Sequence, residues 1–156
     1  MDDKETKTMV KSGVIAAIYF VLTIVFGEKS FGPIQFRISE AMTILPFYEP
    51  AAVPGLFVGC FIANIFGGLG PIDIFCGSLT TLLAAYLTSK MPNKYLATLP
   101  PILLNSFIIP IWVSKASNMP YIAVMSSICF SEFISVGVFG LILSVVFERV
   151  YKNKNH

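Results

Sequence analysis

The chain has 156 residues, of which 55% are hydrophobic and 13% charged, and its net charge is only +2; the mean hydropathy is +0.76. Soluble domains carry about 25% charged residues, so a water-exposed globule is excluded, and the absence of a basic stripe speaks against nucleic-acid binding. The composition fits an all-α integral membrane protein of one helical domain, with no length left for a second soluble one.

Residues 1–9 read as a short tail carrying charges of both signs, and a first helix is expected over 10–27. The uncharged run Ser12–Gly27 lacks a small-residue cleavage site, so it reads as a retained span rather than a signal peptide. Gly27, Gly32 and Pro33 end it. A second segment is expected over 38–48, with Glu40 near its start. As an α-helix it extends only about 17 Å, short of a hydrocarbon core of about 30 Å. Further helices are expected over 51–67, 72–90, 95–114 and 121–149. The breaks between them are Pro50 and Pro54, then Gly67-Gly68-Leu69-Gly70-Pro71, then Met91-Pro92-Asn93-Lys94, then Asn118-Met119-Pro120. Pro100, Pro101 and Pro110 predict a bent fifth helix. The reading is a six-transmembrane-helix bundle over 10–150, followed by a tail at 151–156.

Charge orients it. With six crossings and an inside N-terminus, Lys4, Lys7, Lys11, Lys90, Lys94, Arg149, Lys152 and Lys154 all face the cytoplasm, and only Lys29, Arg37 and Lys115 face outward. Five crossings would turn Lys90, Lys94 and the basic tail outside, against the positive-inside tendency. The expected location is the cell membrane, multi-pass, with both termini cytoplasmic. The loop before Arg37, the end of the third helix, the start of the fourth and the end of the fifth then share the outer side, where an outer pocket is expected.

Polar residues inside these runs are the candidates for function, because each costs free energy unless partnered. Gln35-Phe36-Arg37-Ile38-Ser39-Glu40 is the densest such stretch. Arg37 and Glu40, three apart, suit either a local ion pair at a helix start or a lid whose Gln35, Arg37 and Glu40 contact a polar ligand. Asp73 reads as an N-cap or a ligand contact, and Asn64 as a helix-end cap or a ligand contact. Asn105 and Trp112, seven apart, share a helix face; Trp112 is an interfacial anchor or a pocket wall. Glu132 lies far inside the last helix and requires a partner, a proton or a ligand. Ser127, Ser131 and Ser135 run beside it and suit helix–helix contacts.

On the first helix, Ser12 with Ala16 and Gly13 with Ala17 are small residues four apart, suited to packing within the bundle or to docking a separate protein. Cys60, Cys76 and Cys129 read as buried packing residues. The single histidine is terminal, no metal-ligand spacing occurs, and no cofactor is implied. Phosphate-cradling loops, a metallopeptidase helix and a serine elbow are all missing from the sequence, so an enzyme is not expected.

Gly32-Pro33-Ile34-Gln35-Phe36-Arg37-Ile38-Ser39-Glu40-Ala41, followed by Thr43-Ile44-Leu45-Pro46-Phe47, resembles the signature of the QueT family. Ala52-Val53-Pro54-Gly55-Leu56, Gly59-Cys60, Ala63-Asn64, Asp73-Ile74, Gly77-Ser78-Leu79 and Thr81-Leu82 extend the likeness. The resemblance implies an S component, the substrate-binding membrane subunit of an energy-coupling factor (ECF) importer. It implies a queuosine precursor, a 7-deazaguanine base, bound at the extracellular face. The partners implied are a transmembrane coupling protein and two cytoplasmic ATPases, which would hydrolyse the ATP. Family members often dock through an Ala-xxx-Ala pattern on the first helix, matched here only in part by Ser12/Ala16 or Gly13/Ala17.

The residues suit such a ligand on their own terms. A guanine-like edge presents N–H donors to a carboxylate and a carbonyl to an amide or Arg, and flat bases stack on aromatic rings. Glu40, Asp73 or Glu132 suit the donors; Asn64, Asn105 or Gln35 suit the carbonyl; Trp112 or Phe36 suit stacking. An S component for another small vitamin-like ligand, or a scaffold that only binds partner proteins, are the alternatives.

Overall fold

A computed structural model describes residues 2–27 and 36–154, with side chains through residue 149. Every regular element among the described residues is helical, as the all-α reading requires. Helix α1 spans Asp3–Val25 and so begins well before the expected position near residue 10. The reason is local: Asp2 and Glu5 form a reciprocal capping box, which satisfies two orphan backbone donors and lets the helix start in the charged stretch.

Helix α2, Ile38–Phe47, is wound as a 3-10 helix. At about 2.0 Å per residue its 10 residues extend about 20 Å, against about 15 Å as an α-helix. Such long 3-10 runs are uncommon. This one is sheathed on all sides, with Ser39 through Pro46 buried. The tighter winding thus recovers part of the length that the segment lacked.

Helix α3 spans Ala52–Gly67 and is closed by Gly68 in the left-handed region, φ 74°, where glycine carries no Cβ penalty. It packs on α1 through bare backbone. A Cβ added at Gly55 would lie 2.8 Å from the Ser12 carbonyl oxygen, and one at Gly59 would lie 2.8 Å from that of Ala16. The Ser12 hydroxyl donates to the Ala51 carbonyl at 2.8 Å. Of the two small-residue pairs on α1, Ser12/Ala16 therefore faces α3, while Gly13 and Ala17 are exposed.

Helix α4, Asp73–Thr88, opens in π-helical turns over Asp73–Gly77. Helix α5, Leu96–Ala116, carries Pro100 and Pro101 in its first α-helical turn, where a missing N–H is tolerated; it is interrupted again where Pro110 starts a new stretch. Asn118, φ 52°, turns the chain into α6, Tyr121–Arg149, which has a second π-helical stretch over Phe133–Gly140. By length and composition α1, α5 and α6 are long and apolar enough to cross a membrane, whereas α2, α3 and α4 are shorter apolar helices.

The segments run alternately up and down. Lys11 near the start of α1 pairs with Glu49 after α2, Lys94 before α5 pairs with Glu148 near the end of α6 at 3.0 Å, and the Tyr48 hydroxyl donates to Glu148 at 3.0 Å. These contacts bring the basic sequence ends and the basic α4–α5 loop to one end of the bundle. The Glu148 carboxylate raises the Lys94 pKa, so this pair is intact at neutral pH and is lost only as pH climbs through the raised value. One apolar cluster, around Tyr19, Ile44, Leu45 and Leu56, packs toward that end. Another, around Ile109, Trp112, Val113, Val124 and Ile128, packs toward the other.

Large apolar side chains such as Val14, Phe66, Leu79, Phe107 and Phe130 point outward from every long face. The cysteines correct the sequence reading: Cys60 is buried, but Cys76 and Cys129 are exposed. In a chain that meets lipid, an apolar position is no guide to the interior, because the outside is apolar too.

Candidate functional site

Four helices meet around a polar chamber between the two apolar clusters. Helix α2 contributes Arg37, at its N-terminal boundary, and Glu40; α4 contributes Gly77 and Thr81; α5 contributes Asn105 and Ile109; α6 contributes Ile128 and Glu132. Between and around these groups lies about 280 Å³ of space, of which only about 10 Å³ admits the centre of a water molecule. That is room for about one water, and ligand pockets run to about 300–1,000 Å³, so the walls stand close together.

The carboxylates are held by donors from several helices. The Asn105 amide nitrogen donates to Glu132 Oε1 at 3.0 Å and to Glu40 Oε2 at 3.4 Å, so one amide bridges two acids from α2 and α6. The Tyr19 hydroxyl, on α1, donates to Glu40 Oε1. Next to this cluster, Trp112 Nε1 donates to Asp73 Oδ1 at 3.0 Å, and Asp73 Oδ2 lies 3.8 Å from Arg37 Nη2. The Asn64 amide donates to the Asp73 carbonyl at 3.0 Å. Arg37, Glu40, Asn64, Asp73, Asn105, Trp112 and Glu132 are all buried.

The sequence candidates therefore separate into two rows. Arg37, Glu40, Asn105 and Glu132 line the chamber, whereas Asn64, Asp73 and Trp112 stand behind its wall. Asp73 is not an N-cap, since the helix has already begun at residues 71–72 and its carboxylate is turned to Trp112 and Arg37. Trp112 is no exposed anchor, because its indole is held by Asp73 in the interior. Phe36 is half-buried and lies off the lining. Gln35 lies outside the described residues. Ser131 and Ser135 are buried and Ser127 is half-buried.

Three contributors carry no role in the sequence reading. Tyr19 gives no signal there. Thr81 and Gly77 enter only through the family likeness, although Gly77 is bare for a reason: a Cβ there would lie 3.0 Å from the Asn64 amide nitrogen and 3.2 Å from Asp73 Oδ1. The π-helical turns were a further missed signal. They begin at Asp73 and directly after Glu132, and such turns cluster at functional sites because they re-aim side chains.

The chamber and the layer behind it hold several acceptors. Among the described residues, Glu132 Oε2 and Asn105 Oδ1 on the lining, and Asn64 Oδ1, Asp73 Oδ2 and Ser135 Oγ off it, are buried without a hydrogen-bond partner. Each such atom costs about 1–3 kcal/mol, and the bilayer supplies nothing to offset it. An arrangement of this kind suits a ligand that brings N–H donors.

A helical bundle with lipid-type faces and a buried polar chamber defines a membrane protein built around a polar interior. The family model of the QueT transporter matches residues 9–149, and the chain belongs to the QueT transporter family, a multi-pass membrane protein. It is 34% identical over 85 residues to the queuosine precursor transporter QueT of Lactococcus lactis subsp. cremoris (strain MG1363), a match that covers 53% of this chain and 50% of that protein. The match thus spans about half the length of that relative. No solved structure matches the chain.

Proposed function

We propose that the chain is the substrate-binding S component of an ECF-type importer and takes a queuosine precursor, a 7-deazaguanine base, from the extracellular side. The observation that carries the reading is the pair of buried acids, Glu40 and Glu132, bridged by Asn105, with Glu132 Oε2 and Asn105 Oδ1 on the lining left without a donor. The Watson–Crick edge of a 7-deazaguanine offers adjacent N–H donors to a carboxylate, and an aminomethyl substituent adds a cation that suits the second acid. Arg37 answers the ring carbonyl. Aliphatic Ile109 and Ile128, rather than Trp112, flank the ring.

Orientation follows from charge. The chamber lies away from the end that gathers Lys11, Lys94 and Arg149, and the positive-inside tendency places that basic end in the cytoplasm. Six crossings with both termini inside fit the alternating path. Entry of a base parts the walls of so small a chamber. Partners are a membrane coupling protein and two ATPases, which supply the energy; the bundle itself supplies recognition.

Gly13 and Ala17, exposed on α1 beside the seated pair Ser12/Ala16, form the docking face for the coupling protein. Nothing lies within 4 Å of a Cβ added at Gly13, so Gly13→Leu leaves the bundle intact and blocks close helix approach. The expected outcome is normal base binding by the purified chain with loss of co-purifying partner subunits. Normal assembly of the Gly13→Leu variant would remove this face from the interface.

The deciding experiment is isothermal titration of detergent-purified chain with a panel of 7-deazaguanines, purines and vitamins. Tight binding confined to the 7-deazaguanines supports the reading. Binding of none of them rejects the ligand, and uptake that survives Glu132→Gln would favour a scaffold that only gathers partners.

A further inference from the structure

We infer that Tyr19 is a positioning residue: its hydroxyl sets the Glu40 carboxylate for the ligand and thereby ties ligand affinity to the seat of α1 on α3. The inference rests on the reading of the chamber as the ligand site and goes beyond it by assigning a role to a helix that contributes nothing to the chamber wall.

Tyr19 is fully buried, at 0% exposure, and its hydroxyl reaches across to Glu40 Oε1. This leaves Oε2 to Asn105 and the chamber. One turn further along the same face of α1, the Thr23 and Ser39 hydroxyls share a hydrogen bond at 2.7 Å. Residues 19 and 23 are four apart and project together. Helix α1 therefore grips two consecutive residues of α2, Ser39 and Glu40, through two hydroxyls.

The other side of Tyr19 is pressed on α3. A Cβ at Gly59 would lie 3.0 Å from Tyr19 Cβ and 2.8 Å from the Ala16 carbonyl oxygen. The glycine notch thus fixes how deep α1 sits, and that depth fixes where the Tyr19 hydroxyl stands relative to Glu40. A displacement of α1 across the notch withdraws the donor from Glu40 and lets the carboxylate turn. Helix α1 acts as a lever between its outward face and the chamber, although no α1 side chain touches the space inside.

The test is a double-mutant cycle on the full chain in detergent, with 7-aminomethyl-7-deazaguanine as the titrated probe. Tyr19→Phe removes one oxygen and keeps the ring; it should weaken binding about tenfold, the effect of about 1.4 kcal/mol. Gly59→Ala, at a position outside the chamber lining, should also weaken binding in the wild-type background. In the Tyr19→Phe background it should change affinity less than about twofold, since both changes act through one contact. Losses that multiply, or wild-type affinity in Tyr19→Phe, would overturn the proposal.

A readout without ligand separates this idea from the ligand reading. The infrared carboxyl band assigned to Glu40 by comparison with Glu40→Gln should move in both Tyr19→Phe and Gly59→Ala. An unmoved band in Gly59→Ala disproves the lever whatever the chain binds. A moved band with no binding of any base supports the lever and rejects the ligand. If Gly59→Ala does not fold, the binding loss and band shift of Tyr19→Phe decide.

Discussion

Glu132→Ala is expected to weaken binding of 7-aminomethyl-7-deazaguanine by about 100-fold while leaving the bundle folded. The carboxylate lies in the middle of a membrane helix, 5% exposed, with Oε1 held by Asn105 and Oε2 unpartnered. A hydrogen bond to a charged group contributes about 1.5–3 kcal/mol, so loss of the charged contact to the ligand accounts for a factor of this size. Stability should move the other way. Burying a carboxylate is costly, and its removal leaves one amide, Asn105, still donating to Glu40. Titration calorimetry and a thermal melt of the same preparation check both halves. Unchanged affinity removes Glu132 from the ligand site, and a collapsed melt assigns it to folding instead.

The two halves of that prediction mirror what sequence makes legible. A carboxylate or amide within an apolar run is conspicuous, because lipid offers it no partner. Arg37, Glu40, Asn105 and Glu132 stand out for that reason, and in the fold they face one chamber. The same logic is silent about Tyr19. An aromatic residue suits a core, a lipid face and a hydrogen bond equally, and only the crossing of α1 over α2 shows that its hydroxyl meets Glu40. Apolar periodicity is equally silent about Cys76 and Cys129, since both sides of a membrane helix are apolar. The length of α2 was unreadable in another way. Composition shows a stretch too short to be an ordinary crossing, but its 3-10 winding is imposed by neighbours that sheathe it on all sides. The early start of α1, by contrast, was written locally: Asp2 and Glu5 stand at capping-box spacing in front of an apolar run.

The second large effect is expected at the ion pair behind the chamber. Arg37 and Asp73, 7% and 1% exposed, approach to 3.8 Å, and Asp73 also holds the Trp112 indole. Asp73→Ala takes one counter-charge from the buried guanidinium and the acceptor from the Trp112 indole; breaking a buried pair costs up to about 3–5 kcal/mol, and a large fall in melting temperature should follow. Adding Arg37→Met to Asp73→Ala should restore part of that stability, because replacing a whole buried pair with apolar groups is close to neutral, while the Trp112 N–H still lacks its acceptor. Ligand binding should not return with it, since Arg37 faces the chamber, where the proposed base would present its ring carbonyl. The pair of readouts thus divides Arg37's two tasks. A double variant that melts above Asp73→Ala and binds no base assigns the guanidinium to recognition. One that regains binding along with stability reduces the pair to scaffolding for Trp112 and α4, and leaves recognition to Glu40, Asn105 and Glu132.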